Sequence, residues 1–525
     1  MSHLVLPKNR VPKAMCLAGL IAIGLLALLS SVPAFSQGAL GAISGTITDT
    51  TGKLVPGALV TITDPARGTV RTVTTNAAGA YAAPGLIAST YLIEVSTEGF
   101  QTVLRKGLVL DVGQTLSINF RLQVGAVTET VTVSSGEPLL DVTDAVVGGT
   151  LSNKIINNLP LNGRNFLNLL TLRPGVEILP GGGFSTQSEN GLPGQAMGYQ
   201  LDGLRHTEPY NGQPSFNMAS QAGDAATILP LDAIETFRVM ENPGAQYGGF
   251  AGGIVQLALK SGTNQFHGNG YAFGRDSAWD ARNYFNPVGT PVLPHSAEQF
   301  GGTLGGPIIR TKLFFFVGYE GQRYSIGNAW DAAIPVTGSL AAETPAGTSN
   351  CSYIQVGDCN DSIADAEADL EKGGIPLNPV SVSLLKQYPG NNTTSIEVPG
   401  GYPNTNRSDN GTAHINYQVN KDNQLSYDLF IGNQLGNFAT SAPIVQPYWR
   451  SVAAMTDETM GAHWIWSPNA RWVNTLSFGY DDFREPIVPG DASTPATAYG
   501  INTGVTGYQS GGMPRVDVAS FTPLG

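Results

Sequence analysis

From residue 264 onward, apolar and polar side chains alternate with a period of two. His414-Ile415-Asn416-Tyr417-Gln418-Val419-Asn420 is one such run. After Lys421-Asp422-Asn423 the stretch Gln424-Leu425-Ser426-Tyr427-Asp428-Leu429-Phe430-Ile431 repeats it. Asn474, Leu476, Phe478 and Tyr480 set against Thr475, Ser477, Gly479 and Asp481 make a third case. A two-residue period sends successive side chains to opposite faces of a strand. Two architectures use it: a soluble antiparallel sheet with one wet face, and a membrane β-barrel, which adds aromatics near its strand ends.

The N-terminus bears on that choice. Residues 1–36 have the build of a secretory signal: a basic start with His3, Lys8, Arg10 and Lys13, an apolar run from Met15 to Leu29, and small residues at Ala34 and Ser36 before a cleavage point ahead of Gln37. The apolar run is shorter than the roughly 20 residues a spanning helix needs. Any membrane insertion must therefore use a closed β-structure, the other way to satisfy backbone polar groups in lipid. Only 13% of residues are charged, against about 25% in ordinary soluble domains. The formal net charge is −12, and removing the three Lys/Arg of the leader takes it to −15. That sign excludes nucleic acid as an expected partner, since a phosphate backbone calls for a basic face.

Residues 41–123 carry short strand patterns separated by turn signals, which predicts a small β-sandwich. Ile43 to Asp49 alternates and breaks at Thr50-Thr51-Gly52-Lys53. Val55-Pro56-Gly57-Ala58 leads into Leu59 to Thr63, and further runs follow at Arg71–Thr75, Tyr91–Val95 and Leu116–Leu122. This sequence of Gly, Pro-Gly-Ala and Gly-x-Tyr signals resembles carboxypeptidase regulatory-like domains. The resemblance implies a transthyretin-like or carbohydrate-binding-like fold and brings no catalytic metal ligands.

Ala245 to Gly270 packs Gly248, Gly249, Gly252 and Gly253 against a β-branched run, followed by Ser261-Gly262-Thr263-Asn264. Glycine this dense beside a strand marks sharp bends or close backbone approach. Upstream come Leu159-Pro160-Leu161-Asn162-Gly163-Arg164-Asn165-Phe166, then Tyr199-Gln200-Leu201-Asp202-Gly203, then Asp232 to Val239. Downstream come Gln299 to Pro307 and Lys312-Leu313-Phe314-Phe315-Phe316. In this order the set resembles the plug-to-barrel passage of TonB-dependent outer-membrane receptors, in their Oar-like branch, over nearly all of the chain after residue 36.

The resemblance implies a mostly β chain: leader 1–36, transthyretin-like sandwich 37–123, linker 124–135, small α+β plug 136–262, and from 263 to 525 the first part of a transmembrane antiparallel β-barrel, with a long extracellular loop at about 326–409 that holds a helix near Ala364–Lys372. The implied function is energised transport of a large substrate, such as a glycan, peptide or chelate, across the outer membrane. The implied partners are a TonB-type protein in the periplasm, outer-membrane lipid and an extracellular ligand. The alternative is a non-transporting surface adhesin or carbohydrate-binding protein.

Several residues follow as candidates. Glu129-Thr130-Val131-Thr132-Val133 resembles a TonB box, an extended β-former whose backbone pairs with a partner strand; the same residues also suit a last strand of the sandwich or a first strand of the plug. Asp202, Arg205, His206 and Glu208 form the densest polar cluster of the plug, readable as a ligand contact or as a plain turn. Cys351 and Cys359, the only thiols outside the leader, suit a local disulfide in an exported protein. No catalytic motif is present: no H-E-x-x-H, G-x-S-x-G, phosphate loop or C-x-x-C. No enzyme activity, cofactor or metal is expected. Residues 264–525 leave room for about eight to ten strands at about 9–11 residues each, fewer than a plugged transporter uses. The expectation is an unclosed, curved wall and a gene product that continues beyond Gly525.

Overall fold

The computed structural model describes residues 40–125, 130–134, 148–159, 161–178, 187–189, 191–208, 212–218, 226–243, 247, 250, 252–282, 284, 289, 292–327, 331–338, 362–391, 397–399, 402–439, 443–469, 472–504, 511–518 and 521–525. The leader lies outside them.

Nine strands build the N-terminal sandwich: β1 (Gly41–Asp49), β2 (Leu59–Asp64), β3 (Thr69–Thr74), β4 (Ala80–Leu86), β5 (Ser89–Ser96), β6 (Thr102–Leu110), β7 (Thr115–Ser117), β8 (Phe120–Leu122) and β9 (Thr130–Ser134). One sheet has the order β4-β1-β7, with β8 also beside β1; the other runs β3-β2-β5-β6-β9. Alternation turns Ile43, Ile47, Val60, Ile62, Ile93 and Val95 into the space between the sheets, where all are buried. The linker expected at 124–135 needs correction. Thr130–Ser134 is a strand pairing in parallel with Thr102–Lys106. Four consecutive Thr and Val residues favour a pleated backbone, and the exposed edge of β6 is the nearest partner. β9 ends its sheet, with no described strand on its outer side.

The central module holds β10 (Gly148–Ser152), a helix at Asn153–Asn158, 3-10 turns at Asn162–Arg164 and Phe166–Leu172, β11 (Val176–Ile178), β12 (Gln187–Glu189), β13 (Leu192–Pro193), β14 (Gly198–Leu201), β15 (Leu204–Arg205), β16 (Ile234–Met240) and β17 (Ile254–Leu259). Its main sheet runs β10-β16-β17-β14-β15, with β14 and β17 parallel. All six residues of β17 are buried. A strand covered on both faces needs no alternation, and its one polar residue, Gln256, is met by Gln200 at 3.1 Å. The module's core, with Phe166, Leu170, Phe216 and Phe237, extends without a break to Phe316 and Phe430 of the next sheet.

That sheet is a wall of long antiparallel strands: β18 (His267–Asp276), β19 (His295–Ile309), β20 (Leu313–Ile326), β23 (Asn404–Asn420), β24 (Asn423–Phe438), β25 (Ser451–Asn469) and β26 (Trp472–Arg484). Each pairs with the next, and short β27 (Ile487–Pro489) lies beside β25. A small ribbon of β21 (Asp331–Ala333) and β22 (Glu397–Pro399) stands apart. Among the described residues the sheet is not closed: β18 lies at one edge, β26 and β27 at the other, and no pairing joins the two edges. Among the described residues the sheet has eight strands, seven of them long, at the lower end of the eight to ten expected. Several run well past the length needed to cross a bilayer, β25 for 19 residues.

The wall's faces are inverted relative to a soluble sheet. On β24, Asp428, Phe430, Gln434 and Phe438 point inward and are buried, whereas Leu425, Tyr427, Ile431 and Leu435 point outward and are exposed. On β23 the polar Asn406, Ser408, Asn410, Thr412, His414 and Asn416 are the buried set. A polar interior and an apolar exterior suit lipid outside. Tyr417, Tyr427, Trp464, Trp466 and Trp472 cluster outward near one end, in the manner of an interfacial aromatic girdle. Tight connections such as Arg310–Lys312 and Lys421–Asp422 occupy that same end. Long loops occupy the other, including 327–403 with helices Ile363–Lys372 and Pro379–Leu385. Ser362 caps the first helix by accepting from the Asp365 N–H at 3.1 Å.

Candidate functional site: the interface between module and wall

The segment Leu159 to Phe166 finds its physical meaning at the wall. Gly163 and Arg164 both adopt left-handed backbone, with φ of 66° and 52°, a conformation that suits glycine and strains arginine. The turn brings the Arg164 Nη2 to 2.6 Å from Asp232 Oδ2. Asn269 of β18 donates to the other Asp232 oxygen. The guanidinium lies over the rings of Tyr271 and Phe273, 4.8 and 4.5 Å from their centroids. Tyr271 in turn donates to Glu320 Oε2 at 2.6 Å, and Gln299 Nε2 donates to the Gly163 carbonyl at 3.0 Å. The Gly163-Arg164 turn thus meets β18 and β19 directly and reaches β20 through Tyr271.

The Ser261-Gly262-Thr263-Asn264 turn sits equally close. A Cβ on Gly262 would fall 2.3 Å from the Phe315 carbonyl oxygen and 2.5 Å from that of Gly306. Glycine is required there for backbone contact, not for turn geometry. Asn264 Nδ2 donates to the Arg67 carbonyl at 2.6 Å. Arg71 Nη2 donates to Ser467 O at 2.9 Å, and Arg238 Nη1 to Val112 O at 3.0 Å. The sandwich is therefore held at the tight-turn end of the wall and against the module.

Asp202, Arg205, His206 and Glu208 do not converge on one site. Arg205 is exposed and lies over the Phe250 ring, 5.1 Å from its centroid. Glu208 is buried. His206 is fully buried; its ring stacks on Phe216 at 4.0 Å, Nδ1 meets Thr459 Oγ1 at 3.0 Å, and Nε2 faces Asp457 Oδ2 at 3.4 Å. Asp202 sits on the β14–β15 turn with φ of 47° and accepts from the Leu259 N–H at 3.2 Å. Burial, and then the neighbouring Asp428 carboxylate, push its carboxyl well above the ordinary range. The correction has a simple cause. Arg205 and His206 are neighbours on the hairpin and so face opposite ways, while Asp202 sits in the turn itself between Leu201 and Leu204, so the four do not share one face.

What sequence reasoning missed lies on the wall. His414 and Asp428 gather around Asp202, and Asp457 and Asp481 around His206, the carboxylate and ring-nitrogen atoms of each group lying within 4.8 Å of one another. His463 joins the first group through Asp428 alone, at 3.2 Å. Parity was the available signal: His414 and Asp428 hold inward positions of the dyad pattern. Of the box residues, Thr130 to Val133 lie on β9 and Glu129 lies outside the described residues, as do Cys351 and Cys359.

The arrangement joins module and wall through an apolar seam and a few separable polar contacts.

Comparison with known proteins bears out the resemblance and the mostly β fold. The outer membrane beta barrel domain model matches residues 258–525, and the carboxypeptidase regulatory-like domain model matches residues 42–123. The TonB-dependent transporter Oar of Myxococcus xanthus is 28% identical over 308 residues, 56% of this chain and 27% of Oar. The chain thus spans about a quarter of that relative's length. Among solved structures, the outer membrane transporter YddB of Escherichia coli aligns with a TM-score of 0.43 at 12% identity, covering 65% of this chain and 39% of YddB. The siderophore receptor PirA of Acinetobacter baumannii aligns with a TM-score of 0.38 at 14% identity, covering 71% and 43%.

Proposed function

The chain belongs to the outer membrane β-barrel domain family, and on that premise we propose that it works as a TonB-dependent receptor that carries a large substrate across the outer membrane. It resides in the outer membrane. The observation that carries the reading is the inverted wall, apolar outside and polar inside, with the central module fitted against its inner face. In this reading the module is the plug, the leader 1–36 directs export, and the chain transports rather than catalyses. Similarity to the Oar transporter supports the same reading.

The mechanism starts at β9. Its outer edge offers unpaired backbone to a periplasmic TonB-type strand, the β-augmentation mode. Pull on β9 passes through residues 135–147 to β10, which pairs with β16 of the plug. The contacts most exposed to that pull are the polar links between plug and wall. Their release would open a path for a glycan, peptide or chelate captured at the long-loop end.

A pulldown with the TonB periplasmic domain tests this. Val131→Pro removes a backbone donor inside β9 and is expected to abolish capture while the wall stays folded. Capture unchanged by Val131→Pro rules out β9 as the contact. No capture of the wild-type chain favours a non-transporting adhesin.

A further inference from the structure

We propose that the cleft between helices Ile363–Lys372 and Pro379–Leu385, at the long-loop end of the wall, binds a polypeptide segment whose apolar side chains are flanked by lysine or arginine. Treating that segment as the cargo rests on the transport reading; the site itself would serve an adhesin equally.

The cleft exists because the first helix has no core to bury its apolar side. Ile363, Ala366 and Leu370 recur at helical spacing and form one stripe, which an amphipathic helix ordinarily turns toward a core. Here the helix's single buried residue is Asp365, engaged by Ser362 at the N-cap, while Leu370 stays 39% exposed. The second helix has no buried residue. Its Leu384 and Leu385 rest on the edge of a compact core that Tyr388, Val445, Trp449 and Met513 build from the loops at this end. Among the described residues, that core takes in nothing from the first helix. The first helix is nonetheless fixed in place, its Ile363 N–H donating to the Val336 carbonyl at 2.8 Å. What remains is a cleft of about 440 Å3, lined by Leu370 of one helix, Val382 of the other, and Val336 and Phe521.

The lining selects the occupant. Its one charged residue is Glu367, and no lysine or arginine contributes to it. Lys372 and Lys386, at the ends of the two helices, do not line the cleft. Glu371 follows Glu367 by four positions, on the same side of the helix, so two carboxylates border the apolar stripe. An anionic chelate would meet like charge and no cation. A glycan would need free hydrogen-bonding groups, and two of the polar side chains present are spent on helix caps. Ser362 Oγ accepts from the Asp365 N–H at 3.1 Å, and Asn378 Oδ1 accepts from the N–H groups of Val380 and Ser381 at 2.9 and 3.3 Å. A peptide with apolar side chains in the cleft and a cationic residue beside Glu367 matches both the surface and its charge. Burying the apolar side chains supplies the affinity, and the carboxylates set the choice of flanks.

The site can be altered without disturbing what lies behind it. Glu367, Leu370 and Glu371 are each at least partly exposed, and none belongs to the core under the second helix. The cleft escaped the sequence because its lining comes from three separate stretches of chain, around Val336, from Ser362 to Leu385 and at Phe521.

Fluorescence anisotropy of the labelled peptide Lys-Lys-Phe-Leu-Lys-Lys, titrated with the full chain in detergent, is the test. The expected result is saturable binding of one peptide per chain. The peptides Glu-Glu-Phe-Leu-Glu-Glu and Lys-Lys-Ser-Ser-Lys-Lys should each bind about tenfold more weakly. Leu370→Ser should weaken binding of the first peptide about tenfold. The double variant Glu367→Gln/Glu371→Gln should weaken it about fivefold at low salt, with the difference shrinking as salt is raised. Absence of saturable binding to the folded wild-type chain overturns the proposal. So does equal binding of the glutamate-flanked peptide, competition by a maltooligosaccharide, or wild-type affinity in Leu370→Ser, which would place the peptide elsewhere. Failure of peptide binding with TonB capture intact strikes the site and leaves the transport reading standing; peptide binding without TonB capture does the reverse.

Discussion

Arg164 Nη2 lies 2.6 Å from Asp232 Oδ2, across 68 positions of sequence, with both side chains largely buried. Asp232 keeps only Asn269 as a described side-chain partner if the guanidinium is removed. Breaking one side of a buried pair leaves an uncompensated charge. Arg164→Ala is therefore expected to destabilise the module by about 3 kcal/mol. The double variant Arg164→Ala/Asp232→Asn should recover part of that loss. Denaturant unfolding in detergent measures all three; strictly additive losses would mean the two groups do not interact.

Phe430 and Ile431 are neighbours with opposite surroundings. Phe430 is fully buried against Phe216, 5.7 Å between ring centroids, and Ile431 faces outward. Phe430→Ala should cost about 3–5 kcal/mol through the cavity it leaves. Ile431→Arg should cost about 2–4 kcal/mol when the chain is folded into lipid vesicles, while Ile431→Leu stays near neutral. An Ile431→Arg variant as stable as wild type in lipid would place that face in water.

Asp49 closes the turn after β1, accepting from Thr51 Oγ1 at 2.6 Å and from the N–H groups of Thr51 and Lys53 at 2.7 and 3.0 Å. The Thr51 hydroxyl foremost, and those backbone donors, hold its carboxyl below the ordinary value of 3.8. A depressed folded value means the contribution is complete above about pH 4 and fades as pH falls through the lowered value. A fragment of residues 38–134 is expected to unfold cooperatively and to lose stability on acidification below pH 4. Asp49→Asn should flatten that part of the profile. A fragment ending at residue 123, which lacks β9, should unfold at lower denaturant than the longer one.

Cys351 and Cys359 are expected to form a disulfide once the protein is exported, because the compartment is oxidising and the loop between them is short. Thiol-specific labelling followed by mass measurement decides it. The intact protein should take up no label until it is reduced and two labels afterwards; two labels without reductant would sink the prediction.

The dyad period by itself determined that residues beyond 264 would form long antiparallel strands, and the short β-patterns before 123 determined a sandwich. Both are local: side-chain parity and turn residues act within one strand and its neighbour. The glycine-rich passage around Gly262 was equally legible as close approach, although not what it would approach. Tertiary structure decided the rest. Thr130 to Val133 are strand formers in any context, and only the free edge of β6 made them a ninth strand of the sandwich. Asp202 and His206 are four positions apart, yet the β14–β15 hairpin aims them at different wall strands. His414, Asp428 and His463 read as scattered residues until cross-strand register set them on one inward face. Strand pairing is decided by the free energy of burying many residues at once, and no short window of sequence contains that sum.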